Sequence, residues 1–301
     1  MLLKRQGNQL KVLRDIPFKL ERDLQKLIEQ NLEKIFGFVL VKSEFTIKDK
    51  RIDTLAYDEQ SKAFIIIEYK RDRSSSVIDQ GFAYLNLMLN NKAEFILEAN
   101  EKLEKNIKRN EVDWSQTRVL FIASSFNDNQ RQAVDFKDIA IELCEVKLFE
   151  DDHVYINFIK SSKGTQSIKT LTEKVPEYKK IGEEIKIYTE EEHFEKMSEE
   201  IKEVYTKFRD SILQLNDNIE LCPKKLYVSF KLDSIFCSVE CQKKQLKIVL
   251  NTRWGTLDDP KHLFRNVSKV GHWAAGDYQT QVFDTKNLEY ILSVIKQLIE
   301  K

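Results

Sequence analysis

The chain has 301 residues, 42% of them hydrophobic and 33% charged, with only eight Gly and four Pro. That is the composition of ordered globular structure, long enough for two modest domains. Its 49 basic and 49 acidic residues cancel, which excludes a global attraction to polyanions and leaves any such binding to local basic patches.

Residues 1–17 read as a short β-ribbon or lead-in ended by Pro17. From 18 to 36, Leu24, Leu27, Ile28, Leu32 and Ile35 recur at helical spacing, which predicts an amphipathic helix stopped near Gly37. On a wheel of ~100° per residue, Glu21 falls inside the apolar sector, Glu29 at its edge and Glu33 outside it. An acid on the buried side of a helix is unusual unless paired. Strands are predicted over 39–47, 51–57 and 63–70. The third is apolar enough from Ala63 to Ile67 to be buried on both faces, and it ends on Glu68-Tyr69-Lys70. Alternate residues of a strand share a face, so Glu68 and Lys70 point together and Tyr69 points away. Ser74, Ser75 and Ser76 mark a turn. A helix over 77–89 then places Gln80 and Tyr84 on one face. Residues 92–110 read as a polar helix, or a strand plus a helix. A buried strand is expected over 117–123, a helix over 127–136, and a strand over 139–149 continued at 154–159.

A buried strand end has no use for an unpaired carboxylate. Asp53 and Glu68 converge at one, and a divalent cation is the economical partner for both. Singly, these residues have plain structural readings. Arg51 with Asp53 makes a turn pair, and Glu68 with Lys70 a strand-end ion pair worth ~0–1 kcal/mol if exposed. The ordered set says more. Asp53, then Glu68-Tyr69-Lys70, then Gln80-X-X-X-Tyr84 resembles the PD-(D/E)XK nuclease superfamily, in its RecB-like branch.

The resemblance implies a restriction-endonuclease-like α/β fold, a mixed sheet flanked by helices. It implies Mg²⁺ or Mn²⁺ held by Asp53, Glu68 and the Tyr69 carbonyl, and hydrolysis of phosphodiester bonds in DNA, in restriction or repair. Lys70 would orient or activate the attacking water or sit against the phosphate, and Gln80 and Tyr84 would position a substrate group. The first core helix of the superfamily often supplies an acid, for which Glu21 is the better match and Glu29 the reserve. Arg71 and Arg73 would contact the phosphate backbone, and many such nucleases act as homodimers. The alternative is a non-catalytic protein that keeps this fold and binds nucleic acid or another partner.

The nuclease-like domain is expected over 1–160 and a linker over 161–194, where Ser161, Ser162, Gly164 and Pro176 break the pattern. Glu190, Glu191 and Glu192 suit a solvated helix N-terminus. A smaller α+β accessory domain is expected over 195–301. It opens with a helix carrying Met197, Ile201, Val204, Tyr205, Phe208, Ile212 and Leu215 at helical spacing. An antiparallel meander over 226–232, 235–241 and 246–250 follows, and a helix over 288–299 closes the chain. This half resembles an uncharacterised domain sometimes labelled a predicted transport protein. Gly271 and Gly276 are expected to shape a loop with Trp273 in the core. A nucleotide pocket built from Trp254, His272 and Asp277 is the less favoured reading. Cys144, Cys222, Cys237 and Cys241 fit no zinc spacing. With no apolar run of the ~18–20 residues a membrane span needs and no signal-peptide core, a cytoplasmic protein with reduced thiols is expected.

Overall fold

The computed structural model describes residues 1–70, 76–134, 139–159, 179–186, 188–232, 234–270 and 276–300. The chain divides into two compact units, Met1–Lys186 and Ile187–Lys301. No described helix is long and apolar enough to cross a membrane.

The first unit begins with a two-stranded antiparallel ribbon, β1 (Leu2–Gln6) and β2 (Gln9–Leu13), turned at Gly7 with φ +63°. A two-residue strand, β3 (Asp15–Ile16), follows. The expected 18–36 helix is two helices, α1 (Glu21–Glu29) and α2 (Leu32–Phe36). The break falls at Gln30 and Asn31, where the Asn31 side chain donates to the Leu27 carbonyl and competes with continuation of the helix. Gly37 ends α2 in the left-handed region, φ +72°.

Three antiparallel strands come next: β4 (Val39–Ile47), β5 (Lys50–Asp58) and β6 (Ala63–Lys70). Helices α3 (Val77–Asn90) and α4 (Lys92–Leu103) precede β7 (Arg118–Ala123), which pairs parallel with β6. After α5 (Asp128–Ala133), β8 (Ile141–Phe149) pairs parallel with β7. The run at 154–159 does not continue β8. It returns along it as an antiparallel strand, β9 (His153–Ile159), because Asp151 and Asp152 at φ +60° and +58° reverse the chain. The expected element over 92–110 is helical only to Leu103.

Together with β3, which pairs antiparallel with β8, these six strands form one seven-stranded mixed sheet. Ile65, Ile67 and Tyr69 of β6 pack with Leu24 and Ile28 of α1 and Leu32 of α2. Phe64 and Ile66 pack with Phe82, Leu85 and Met88 of α3 and Phe95 of α4. Strand β6 is therefore buried on both faces, as its sequence requires. This is the α/β class expected: a mixed sheet flanked by helices. Within 161–194 the described part is helical at α6 (Lys179–Glu184) and α7 (Glu190–Phe194). Ile181 of α6 is buried in the core of the first unit.

In the second unit α8 (Glu199–Leu213) starts at Ser198, whose hydroxyl accepts from the Ile201 amide. Strands β10 (Glu220–Pro223), β11 (Val228–Lys231), β12 (Ile235–Cys241) and β13 (Leu246–Leu250) follow. Then come β14 (Arg265–Asn266), β15 (Tyr278–Val282) and the closing helix α9 (Leu288–Ile299). The sheet is antiparallel, in the order β10-β11-β12-β13-β15-β14. Tyr205, Phe208 and Ile212 of α8 and Ile291, Val294 and Ile295 of α9 cover Phe230, Val239 and Ile248. Three of these strands escape a periodicity reading. Strand β15 runs Tyr-Gln-Thr-Gln-Val, with buried polar residues, Gln279 and Thr280, where an apolar run would have marked it. All four cysteines are free, and burial pushes the Cys144 and Cys241 thiols up to about 12.

Candidate functional site

The carboxyl end of β6 and the start of β5 bring Asp53 and Glu68 side by side, each bound to the backbone of the other's strand. A Glu68 carboxylate oxygen accepts from the Asp53 amide at 3.2 Å, and an Asp53 oxygen accepts from the Tyr69 amide at 3.1 Å. These side chains thus replace part of the β5–β6 ladder. The second Glu68 oxygen lies 3.8 Å from Lys70 Nζ and accepts from Gln80 Nε2 at 3.3 Å. The same Gln80 nitrogen donates to the Tyr84 hydroxyl at 3.3 Å, and Tyr84 donates to the Arg51 carbonyl at 3.1 Å. Five of the residues singled out in the sequence, Asp53, Glu68, Lys70, Gln80 and Tyr84, are therefore one connected cluster.

Helix α3 delivers Gln80 and Tyr84 because it lies close to the sheet. A Cβ on Gly81 would stand 2.4 Å from Ile141 Cδ1 and 3.4 Å from a Phe121 ring carbon. Glycine is what permits that approach. The Ser76 hydroxyl accepts from the Asp79 amide and starts the helix one turn before Gln80.

Glu68 is only 3% exposed. Desolvation, then the neighbouring Asp53 charge, push its carboxyl up to about 7, against opposing pulls from the Asp53 amide and Lys70. Burial raises Asp53 as well, and the Tyr69 amide and Lys70 pull it back. Two desolvated carboxylates share one ammonium, so the pair is short of positive charge. Oxygen donors in that state suit a hard divalent cation, which binds through one or two carboxylates and keeps several waters. Such a donor set would suit Mg²⁺ or Mn²⁺, with Asp53, Glu68 and the Tyr69 carbonyl as the groups that could hold it. Among the described residues, no three His, Cys, Asp or Glu side chains group closely enough to hold a metal by themselves.

The helical wheel puts Glu21 on the buried side, but Glu21 is exposed. It is the first residue of α1, and a wheel treats a helix end as if it were interior. Its charge there complements the helix dipole. Glu29 accepts from the Thr54 hydroxyl at 2.5 Å and from Gln25 Nε2 at 3.1 Å. Gln25 is the residue that sequence reasoning missed. Its amide nitrogen also lies 2.9 Å from the Asp53 carbonyl and 3.3 Å from Ser43 Oγ. The Thr54 hydroxyl meets the Tyr69 hydroxyl at 3.3 Å. Gln25, Glu29, Thr54 and Tyr69 thus hold the backbone next to the two acids from the α1 side. The available signal was a Gln and a Glu four apart on an otherwise apolar helix face, with a hydroxyl-bearing residue, Thr54 or Tyr69, directly after each acid.

Arg71 and Arg73 lie outside the described residues, as do Gly271, His272 and Trp273. Exposed Lys48 and Lys50 flank the β4–β5 turn, and exposed Arg51 pairs with Glu44 at 3.0 Å. In the second unit Asp277 accepts from the Trp254 amide at 2.8 Å, which places both near the start of β15.

The chain is 48% identical over 292 residues to an uncharacterized protein of Haemophilus influenzae, a match covering 97% of each chain. Residues 190–297 match a family described as a domain of unknown function, DUF5655. Among solved structures, a repair endonuclease from Pyrococcus abyssi is 16% identical, with a TM-score of 0.25 over 42% of this chain and 48% of that one. An EndoMS–double-stranded DNA complex gives 15% identity and a TM-score of 0.26 over 47% and 49%. SfsA of Pyrococcus furiosus in complex with Ca²⁺ gives 15% and 0.24 over 46% and 63%. The chain thus spans about half the length of the first two and under two thirds of the third.

Proposed function

The chain belongs to one family with the Haemophilus influenzae protein, and for its N-terminal unit we propose divalent-metal-dependent hydrolysis of phosphodiester bonds in DNA. The observation that carries this is the buried Asp53–Glu68 pair, undercharged on the positive side and ringed by Lys70, Gln80 and Tyr84. A bound Mg²⁺ or Mn²⁺ would supply Lewis-acid activation of water and neutralise charge on the phosphate.

The other work falls to the chain itself. Lys70 brings a compact positive charge to the edge of the acids, placed to hold a non-bridging phosphate oxygen or the attacking water. Gln80 fixes the Glu68 carboxylate, and Tyr84 ties α3 to the strand that carries Asp53. Lys48, Lys50, Arg51, Arg71 and Arg73 are the proposed backbone contacts. Glu21 is proposed only as an outer acid, because its exposed place at the helix start argues for water-mediated contact.

The test is cleavage of supercoiled plasmid, linear duplex and RNA by wild type and by Glu68→Gln, in Mg²⁺, Mn²⁺ or EDTA. Wild type should cut DNA only with metal. Removing outer-sphere partners of a metal already costs about 10–100-fold, so loss of a direct ligand should cost ~100-fold or more. Metal-independent cutting, equal cutting by both proteins, or no cutting by wild type under any of these conditions contradicts the proposal.

A further inference from the structure

Two aromatic side chains among the described residues of the second unit stay exposed, Phe283 and Trp254, and Trp254 lies against a buried ring. Trp254 is 44% exposed, while Tyr278, on which it lies, is 2% exposed. The two ring centroids are 4.4 Å apart with 32° between the planes. The loop that presents Trp254 is fastened at many points. Its own amide donates to Asp277 at 2.8 Å, and the Gly255 and Leu257 amides donate to the Tyr278 hydroxyl at 2.8 and 3.1 Å. The Asp277 amide in turn donates to the Thr252 carbonyl at 2.9 Å. Thr252 and Thr256 share a hydroxyl–hydroxyl bond at 2.8 Å. Gly276, at φ +106°, passes so close to β13 that a Cβ would stand 2.0 Å from the Leu250 carbonyl oxygen. That passage brings Tyr278 beneath Trp254.

The charges around this loop are sorted. Asp277 is engaged by the Trp254 amide, and Asp259 by the Leu263 and Phe264 amides and the Tyr290 hydroxyl. Arg253, Lys261, His262, Arg265 and Lys269 are exposed, against one exposed acid, Asp258. Asp277 thus turns one carboxylate oxygen to the loop backbone. Among the described residues, the loop offers a fastened aromatic face with the exposed Arg253 next to it in the chain. A flat apolar ligand attached to negative charge matches it. We infer that Trp254 is a stacking platform for an unpaired base of single-stranded nucleic acid, extending the Trp254–Tyr278 stack by one ring, with Arg253 beside it for the phosphate. This site is independent of the N-terminal reaction.

The test is equilibrium binding of the full chain, in EDTA so that no cleavage enters, to labelled oligo-dT and oligo-U of about 15 nucleotides and to a duplex. Trp254→Ala should weaken single-strand binding about 5- to 150-fold, the range for one lost stacked base. The dependence of affinity on salt should keep its slope, since no charge is removed, and Trp254→Phe should keep most of the affinity. Because Trp254 covers Tyr278, Trp254→Leu serves if the Ala variant does not fold: Leu covers the tyrosine but offers no ring, and should lose what Phe keeps. Comparing dT with U separates DNA from RNA as the source. Because this binding is measured in EDTA and cleavage in Mg²⁺, failure of the nuclease reading is seen separately. Equal binding by Leu and Phe variants, equal losses on duplex, or no single-strand binding by wild type overturns the inference.

Discussion

Glu68 carries most of what is testable at the level of single residues. Its carboxyl rises from 4.5 to about 7 in the folded, metal-free protein, so the folded chain holds a proton that the unfolded chain releases. The stabilisation is complete below about pH 4.5 and is lost as pH climbs through about 7. Asp53 acts in the same direction. Glu68→Gln should flatten that slope and leave the metal-free protein up to about 3 kcal/mol more stable above pH 8. Denaturant titrations of both proteins in EDTA across this range check it. A wild type whose stability rises with pH there would contradict it. Thr54→Val tests the support beneath the acids. It leaves the half-buried Glu29 carboxylate and the buried Tyr69 hydroxyl short of a partner and should cost about 1–3 kcal/mol in the same titration.

Among elements, α3 decides whether the cluster closes. Gly81 lets the helix settle onto Ile141 and Phe121, so Gly81→Val should push it outward and cost about 1–3 kcal/mol by overpacking. Metal-dependent activity should fall further than the stability loss explains, because Gln80 moves away from Glu68. Measuring activity well below the variant's melting temperature separates the two effects. The strands around the site were legible in sequence because β6 is apolar without interruption and its end is charged. The polar support was not. Gln25 makes no charge signal, and its partner is the Asp53 carbonyl, which sequence never displays. The α1–α2 break and the β8–β9 reversal turn on backbone conformations at Asn31, Asp151 and Asp152, which hydrophobic periodicity does not report.

For the molecule as a whole, zero net charge means that DNA affinity should come from few local contacts. With Lys48, Lys50, Arg51, Arg71 and Arg73 contacting phosphate, the log–log salt slope for duplex binding should be about −4.5, at about −0.9 per contact. Removing Lys48, Lys50 and Arg51 together should bring it to about −2. The α/β class of the first unit and the closing helix of the second could be read from periodicity. The full extent of the second sheet could not, since β10, β14 and β15 depend on pairing with distant strands rather than on apolar runs. The central claim is that Asp53 and Glu68 hold a divalent cation, and Mn²⁺ uptake tests it most directly. Free Mn²⁺ would be followed by electron paramagnetic resonance in wild type, Asp53→Asn and Glu68→Gln, with and without duplex DNA. Wild type should bind Mn²⁺ with proton release near pH 7, and each variant should bind at least about 10-fold more weakly. Uptake equal in all three proteins, or none in wild type even with duplex present, would contradict it.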